Sequence, residues 1–200
     1  MRKALIVLLL CPSLSFAAPS ARAKEEARLI KKFPKVFSRA KGKLTLTMEG
    51  GKAAKVLANN PTEGESYSEH HLFSYHPAHH VAVIQSFGYE GGDYTLLSLK
   101  TGLETKISQK PHWNKAGDFF ASVSEGEYAE EKHGLQLGHC DGSECKLLLD
   151  KDGRYSQPKW TADRRFRATN RVPSADGGEG LVLKVRCTVQ RKPLKATCVP

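Results

Sequence analysis

Trp113-Asn-Lys-Ala-Gly-Asp-Phe-Phe-Ala121 sets an aromatic residue, a polar turn and a short apolar strand in immediate succession. The same order occurs upstream in Tyr75-His-Pro-Ala-His-His-Val-Ala-Val83 and downstream in Trp160-Thr-Ala-Asp-Arg-Arg-Phe-Arg-Ala168. The spacings are 38 (75 to 113) and 47 (113 to 160). Self-similarity at such a period marks a repeat architecture, in which each unit is a small sheet unable to bury its face alone. Each signature is followed by a strand-like run, Tyr94-Thr-Leu-Leu-Ser-Leu99, Leu135-Gln-Leu-Gly-His139 and Leu181-Val-Leu-Lys-Val185, and then by a turn and another strand. Alternating apolar and polar residues suit half-exposed antiparallel strands. Lys100-Thr-Gly102 and Asp141-Gly142 supply turn residues tolerant of positive φ. A further copy of the second hairpin, Leu44 to Met48 and Ala53 to Leu57, precedes the first signature. The expected fold is therefore all-β, an antiparallel repeat meander of about three and a half units and about fourteen strands. Ala21 to Lys32 predicts one short amphipathic helix, stopped by Pro34, that could cover an exposed sheet edge.

Pro111-His-Trp113 and Pro158-Lys-Trp160, with Pro77, Gly117 and Asp163 at turn positions, resemble the Pro-x-Trp-Ser-Pro-Asp-Gly-Lys pattern of the TolB-like repeat, a relative of WD-type propeller blades. The resemblance covers about residues 44 to 199, and Lys115, Ala116 and Arg164 depart from the pattern. It implies four-stranded blades around an axis, hence a propeller-like domain. Closed propellers typically need at least four blades, so an open or incomplete ring, a dimer that completes it, or a sandwich-like collapse of the meander are the alternatives.

Arg2 and Lys3, the apolar stretch Ala4 to Leu10 and the small-residue pattern Ser15-Phe-Ala17 read as a signal peptide over 1–17, too short to span a bilayer. The expected organisation continues with a basic segment carrying the helix, 18–43, and the β-repeat domain, 44–200. Periplasmic or secreted localisation follows. Of 31 basic residues the signal carries two, leaving 29 against 21 acidic ones. The four cysteines beyond the signal, Cys140, Cys145, Cys187 and Cys198, form an even set in a compartment that permits disulfides. Four cysteines allow three pairings. Cys140 with Cys145 and Cys187 with Cys198 is the expected one, because each pair brackets a turn-like segment.

His70, His71, His76, His79 and His80 hold five of the eight histidines, and His76-x-x-His79 could put two metal ligands on one turn. The repeat alignment instead makes His76 to His80 a solvated hairpin turn, and no third and fourth ligand follow at structural-zinc spacing. Gly88-Tyr-Glu-Gly-Gly-Asp-Tyr94 joins two strands with paired acids and tyrosines, so Tyr89, Glu90, Asp93 and Tyr94 are binding candidates on a loop held by a rigid scaffold. Glu90 and Asp93 could also do acid-base work or ligate calcium. Trp113 and Trp160 could stack a sugar or base, though wedging between neighbouring sheets explains them with Tyr75. Basic residues gather at Lys31, Lys32, Lys35, Arg39, Lys41 and Lys43, and again at Arg164, Arg165, Arg167 and Arg171. Arg164 and Arg165 are the second binding candidates, for an anionic polymer.

No Gly-x-Ser-x-Gly elbow, His-Glu-x-x-His helix, phosphate-binding loop or dinucleotide fingerprint occurs in the chain. The reading these features favour is a non-enzymatic binding or scaffolding protein of the bacterial periplasm or exterior that recognises a protein or an anionic envelope polymer, with no cofactor. Nucleic acid and a transmembrane segment are not expected, and the oligomeric state is open. A periplasmic hydrolase using metal at His76 and His79, or carboxylates at Glu90 and Asp93, is the alternative.

Overall fold

The computed structural model describes residues 20–124, 134–172 and 181–200. The expected signal peptide lies outside the described residues.

Helix α1 (Ala21–Lys32) opens on Ser20, whose hydroxyl oxygen accepts the Ala23 N–H at 3.2 Å. Four antiparallel sheets follow in chain order. The first contains β1 (Phe37–Ala40), β2 (Lys43–Leu46) and β3 (Lys55–Ala58). The second contains β4 (Ser68–His76), β5 (Val81–Gly88), β6 (Gly91–Ser98) and β7 (Glu104–Ile107). The third contains β8 (His112–Trp113), β9 (Phe119–Ser124), β10 (Gly134–Cys140) and β11 (Cys145–Lys151). The fourth contains β12 (Arg154–Ala162), β13 (Arg165–Val172), β14 (Leu181–Arg191) and β15 (Leu194–Val199). In every sheet the strands pair in sequence order, as a meander. The helix matches its expected bounds. The β array, however, begins at Phe37 rather than at 44, because β1 adds a third strand to the leading half unit.

Successive sheets pack face to face through three apolar clusters. Phe37, Leu44 and Leu46 of the first sheet meet Leu72, Ile84 and Leu97 of the second. Val81, Val83, Leu96 and Ile107 of the second meet Phe120 and the Cys140–Cys145 pair of the third. Phe119, Leu135 and Leu137 of the third meet Tyr155, Phe166, Val185 and Val189 of the fourth. The second sheet is thus covered on both sides, which is why Val81-Ala-Val-Ile84 is apolar throughout and fully buried. Among the described residues the fourth sheet is covered on one side only: in β14, Val185, Cys187 and Val189 are buried while the alternate residues Lys184, Arg186 and Thr188 are exposed. Among the described residues no apolar cluster joins the fourth sheet to the first.

Both expected disulfides are present, Cys140–Cys145 and Cys187–Cys198. Each links directly paired residues of the third and fourth strands of its sheet, on the face turned to the preceding sheet. They pin hairpins in corresponding positions.

Tyr75, Trp113 and Trp160 also correspond. Each lies within the last three residues of the first strand of its sheet, and each ring packs toward what precedes it. Tyr75 meets Phe33 and Phe37 edge-on, both at 5.0 Å. Trp113 lies 4.1 Å from the His76 ring and 5.6 Å from Phe120. Trp160 lies 5.3 Å from Phe166 and 6.5 Å from Phe119. Large apolar rings placed between sheets contribute packing that small sheets cannot otherwise gain.

Helix α1 closes the edge of β4. Leu29, Ile30 and Phe33 pack into the first apolar cluster. Glu26, only 3% exposed, accepts the Leu72 N–H at 3.0 Å and pairs with Arg39. An edge N–H that a fifth strand would take is thereby satisfied by a side chain. Arg39, counted above with the surface cations, is turned inward to this carboxylate and to the His70 carbonyl.

Candidate binding surfaces

In an antiparallel meander the turn between the first and second strands shares an end with the turn between the third and fourth, opposite the turn between the second and third. Contacts between sheets tie the first kind of turn into one rim. Asn114 Oδ1 accepts the N–H groups of Gly117, Asp118 and Phe119, closing the turn of the third sheet. Its Nδ2 donates to Asp118 Oδ1 and, at 2.8 Å, to the Asp163 carbonyl in the matching turn of the fourth sheet. Asp118 in turn pairs with Arg191. Between the second and third sheets, Ser98 donates to the Gly142 carbonyl at 3.0 Å and Thr101 donates to that of Ser143. This rim is a continuous hydrogen-bonded frame.

The histidine turn belongs to that frame. His76 is stacked on Trp113, and burial, with the nearby His79, pushes its pKa down to about 4. His79 Nε2 lies 3.4 Å from the Ala116 carbonyl, and His80, at φ +53°, pairs with Glu49. Among the described residues no group of three or more His, Cys, Asp or Glu side chains could hold a metal. His76 is engaged by its stack on Trp113, and among the described residues no third ligand joins it and His79.

Arg164 and Arg165 sit at the same rim, in the turn between β12 and β13 and at the first residue of β13. Beside them a cleft of 670 Å³ opens between the starts of the third and fourth sheets, lined by Trp113, Lys115, Pro158, Trp160 and Asp163. Trp160 Nε1 donates across it to the His112 carbonyl at 2.7 Å, while Trp113 Nε1 is buried without a partner among the described residues. The two rings are primarily wedges, as their packing shows.

The loop of the second sheet lies at the opposite rim. Gly88 pairs with Gly91, leaving Tyr89 and Glu90 as a two-residue turn with Gly91 at φ +139°. Tyr89 is 69% exposed. The loop borders an open groove of 780 Å³ lined by Glu65, Phe87, Tyr89, Glu90 and Asp93. Arg22 of α1 lies 4.3 Å over the Phe87 ring, and Lys106 stands 3.9 Å from Asp93. Three carboxylates thus face a groove with an aromatic at its lip. Tyr94 does not join them: its ring meets Phe73 at 5.3 Å, its hydroxyl accepts from Gln85 at 2.8 Å, and burial raises its pKa. It packs toward the third sheet.

Of the candidates read from the sequence, Tyr89, Glu90 and Asp93 come together, while Arg164 and Arg165 lie at the far rim. Glu65 was not anticipated. It lies in the loop closed by the Asn60–Ser68 bridge, and Ser68 pairs with Gly88 at the groove, a contact without a spacing signature. A comparison with known protein families, curated proteins and solved structures found no match.

Proposed function

We propose that this chain is an exported, non-enzymatic binding protein, a propeller-like array of TolB-type units that uses the Tyr89 groove to recognise a protein. The observation that carries this reading is the pairing of an exposed aromatic with Glu65, Glu90 and Asp93 on one open groove, held on sheets braced at their other rim. An exposed tyrosine over a rigid sheet offers large contact area at small entropic cost. The acidic lining favours a partner segment carrying Lys or Arg and disfavours an anionic polymer at this groove. Two disulfides support an oxidising compartment, and among the described residues no helix is long and apolar enough to cross a membrane. The propeller-like reading is supported by four meandering sheets stacked in order and by the matching positions of Tyr75, Trp113 and Trp160.

A photo-crosslinking residue at position 89, compared with one at Thr161 on the opposite rim, tests the reading in envelope extract. A discrete protein adduct from position 89, lost when Glu90 and Asp93 become Ala and absent from position 161, is expected. Adducts equal at both positions would remove the groove from the argument.

A further inference from the structure

We infer that the uncovered face of the fourth sheet is a docking surface for an anionic lipid bilayer. This goes beyond the groove reading and does not depend on it. Register puts Lys159 opposite Arg167 and Arg167 opposite Arg186, so three cations lie side by side across three strands. Two residues further along β13, Thr169 stands opposite Lys184, and beyond it Arg171 stands opposite Arg154. On the other side of the row come Arg165 and then Lys195. All eight cations are exposed. The other side chains of this face are Ser156, Ala162, Thr169, Thr188, Gln190, Thr197, Val182 and Val199, so no carboxylate shares it among the described residues. Nor is any of the eight within ion-pair distance of one among the described residues.

Like charges directly opposite one another destabilise a sheet, and a surface tuned only for solubility intersperses both signs. Here the repulsion is concentrated on the face of the sheet that no neighbour covers among the described residues. What relieves it must be anionic and must match its shape. The cations spread over all four strands and over five rows about 7 Å apart, a field extended in two dimensions. A linear polyanion tracks one row or a groove, whereas a headgroup layer offers anions in both directions. Val182 and Val199, 55% and 60% exposed, stand among the cations, where apolar contact with the interface adds to the charge term. Among the described residues the face carries no aromatic to stack bases and no helix that enters a nucleic-acid groove. A second copy is a poor occupant, since this face repels itself, the outer face of the first sheet offers Ser38, Thr45 and Val56 rather than acids, and the three carboxylates of the Tyr89 groove fall well short of eight cations.

The test is flotation of the full chain with vesicles of phosphatidylglycerol and phosphatidylcholine, against phosphatidylcholine alone, over a salt series. Binding to the anionic vesicles that weakens with salt is expected. At about fivefold per cation, Arg167→Gln with Arg186→Gln should weaken it about 25-fold, and Arg167→Glu with Arg186→Glu more than about a hundredfold. Lys24→Glu with Lys31→Glu on α1 should leave it unchanged. The variants relieve repulsion, and circular dichroism with a urea midpoint verifies that they fold. Equal flotation of wild type and the Arg167→Glu, Arg186→Glu pair, no flotation of wild type, or retention on soluble polyphosphate without flotation would each overturn the proposal. Crosslinking from position 89 is read separately, so either result stands without the other.

Discussion

Trp160 donates its indole N–H to the backbone carbonyl of His112 at 2.7 Å, tying the first strand of the fourth sheet to the first strand of the third. Trp113 holds the corresponding place one sheet earlier, yet its buried N–H finds no acceptor among the described residues. The two tryptophans therefore differ in what a truncation removes. Trp160→Phe deletes a hydrogen bond and some packing. Trp113→Phe deletes packing together with a donor that had lost its water for nothing. The first should cost about 1 kcal/mol more than the second, measured as urea midpoints at constant slope.

Gly138 offers a sharper steric test. It lies directly opposite Phe120 across β10 and β9, at an irregularity in the pairing with β11. A Cβ there would overlap the Phe120 ring and lie 2.7 Å from the Lys146 carbonyl oxygen. Gly138→Ala should destabilise by about 2 kcal/mol or more, since ring and backbone cannot both give way in a packed layer. Gly51→Ala is the control: its φ of +75° is unfavourable, but no atom lies within 4 Å of the added carbon. Its cost should stay near about 1 kcal/mol.

Reduction should be felt in two independent steps. Cys140–Cys145 and Cys187–Cys198 close loops with sequence separations of 5 and 11, worth about 2 and about 3 kcal/mol in the chain-entropy model. They belong to different apolar clusters. Replacing each pair by Ser should lower stability by at least these amounts, and the two losses should add. A deficit confined to one pair would mean that the other hairpin is already closed in the unfolded chain.

Acid should weaken the fold through its buried histidines. Burial lowers the pKa of His76 to about 4 and lowers those of His70, His112 and His139. Between the ordinary value of 6.5 and these folded values the unfolded chain binds the protons and the native chain does not. Stability is therefore complete above about pH 6.5 and declines as pH falls toward about 4. With solvent screening of this partly exposed ring, His76 contributes about 1–2 kcal/mol of that decline. Replacing it by Phe, which keeps a ring on Trp113, should flatten the urea midpoint between pH 7 and pH 4.5 by about this amount. An unchanged slope would remove His76 from the explanation.

The repeat, the helix and the cysteine pairing were legible because each rests on local chemistry: an aromatic before a turn, a helical face ended by proline, short turns between strands. β1 was not. Phe37-Ser-Arg-Ala40 is short, and its arginine points inward, so alternation gave no strand signal. Tyr94 reads both as the first residue of a strand and as a binding residue of the loop, and it lies two residues before Leu96, on the same face of β6 and in the same apolar cluster. That spacing was available and outranks composition. The cationic face was half visible in Arg165, Arg167 and Arg171; Lys159, Lys184 and Arg186 join them only through strand register, which no linear spacing reveals.

Glu26 carries the attachment of α1, and so the protection of the β4 edge. Its carboxylate serves Arg39 and the Leu72 N–H together, with the His71 Nδ1 3.3 Å away. Glu26→Ala strands a largely buried guanidinium and an edge N–H, a change that typically costs about 3–5 kcal/mol. Glu26→Gln keeps an acceptor for Leu72 and should cost less. If the helix exists to cover the edge, both variants should also associate: β4 then presents unpaired groups to a second chain. Light scattering against concentration should rise in the order wild type, Glu26→Gln, Glu26→Ala. Loss of stability without association would show that the helix is held for its packing of Leu29, Ile30 and Phe33 alone.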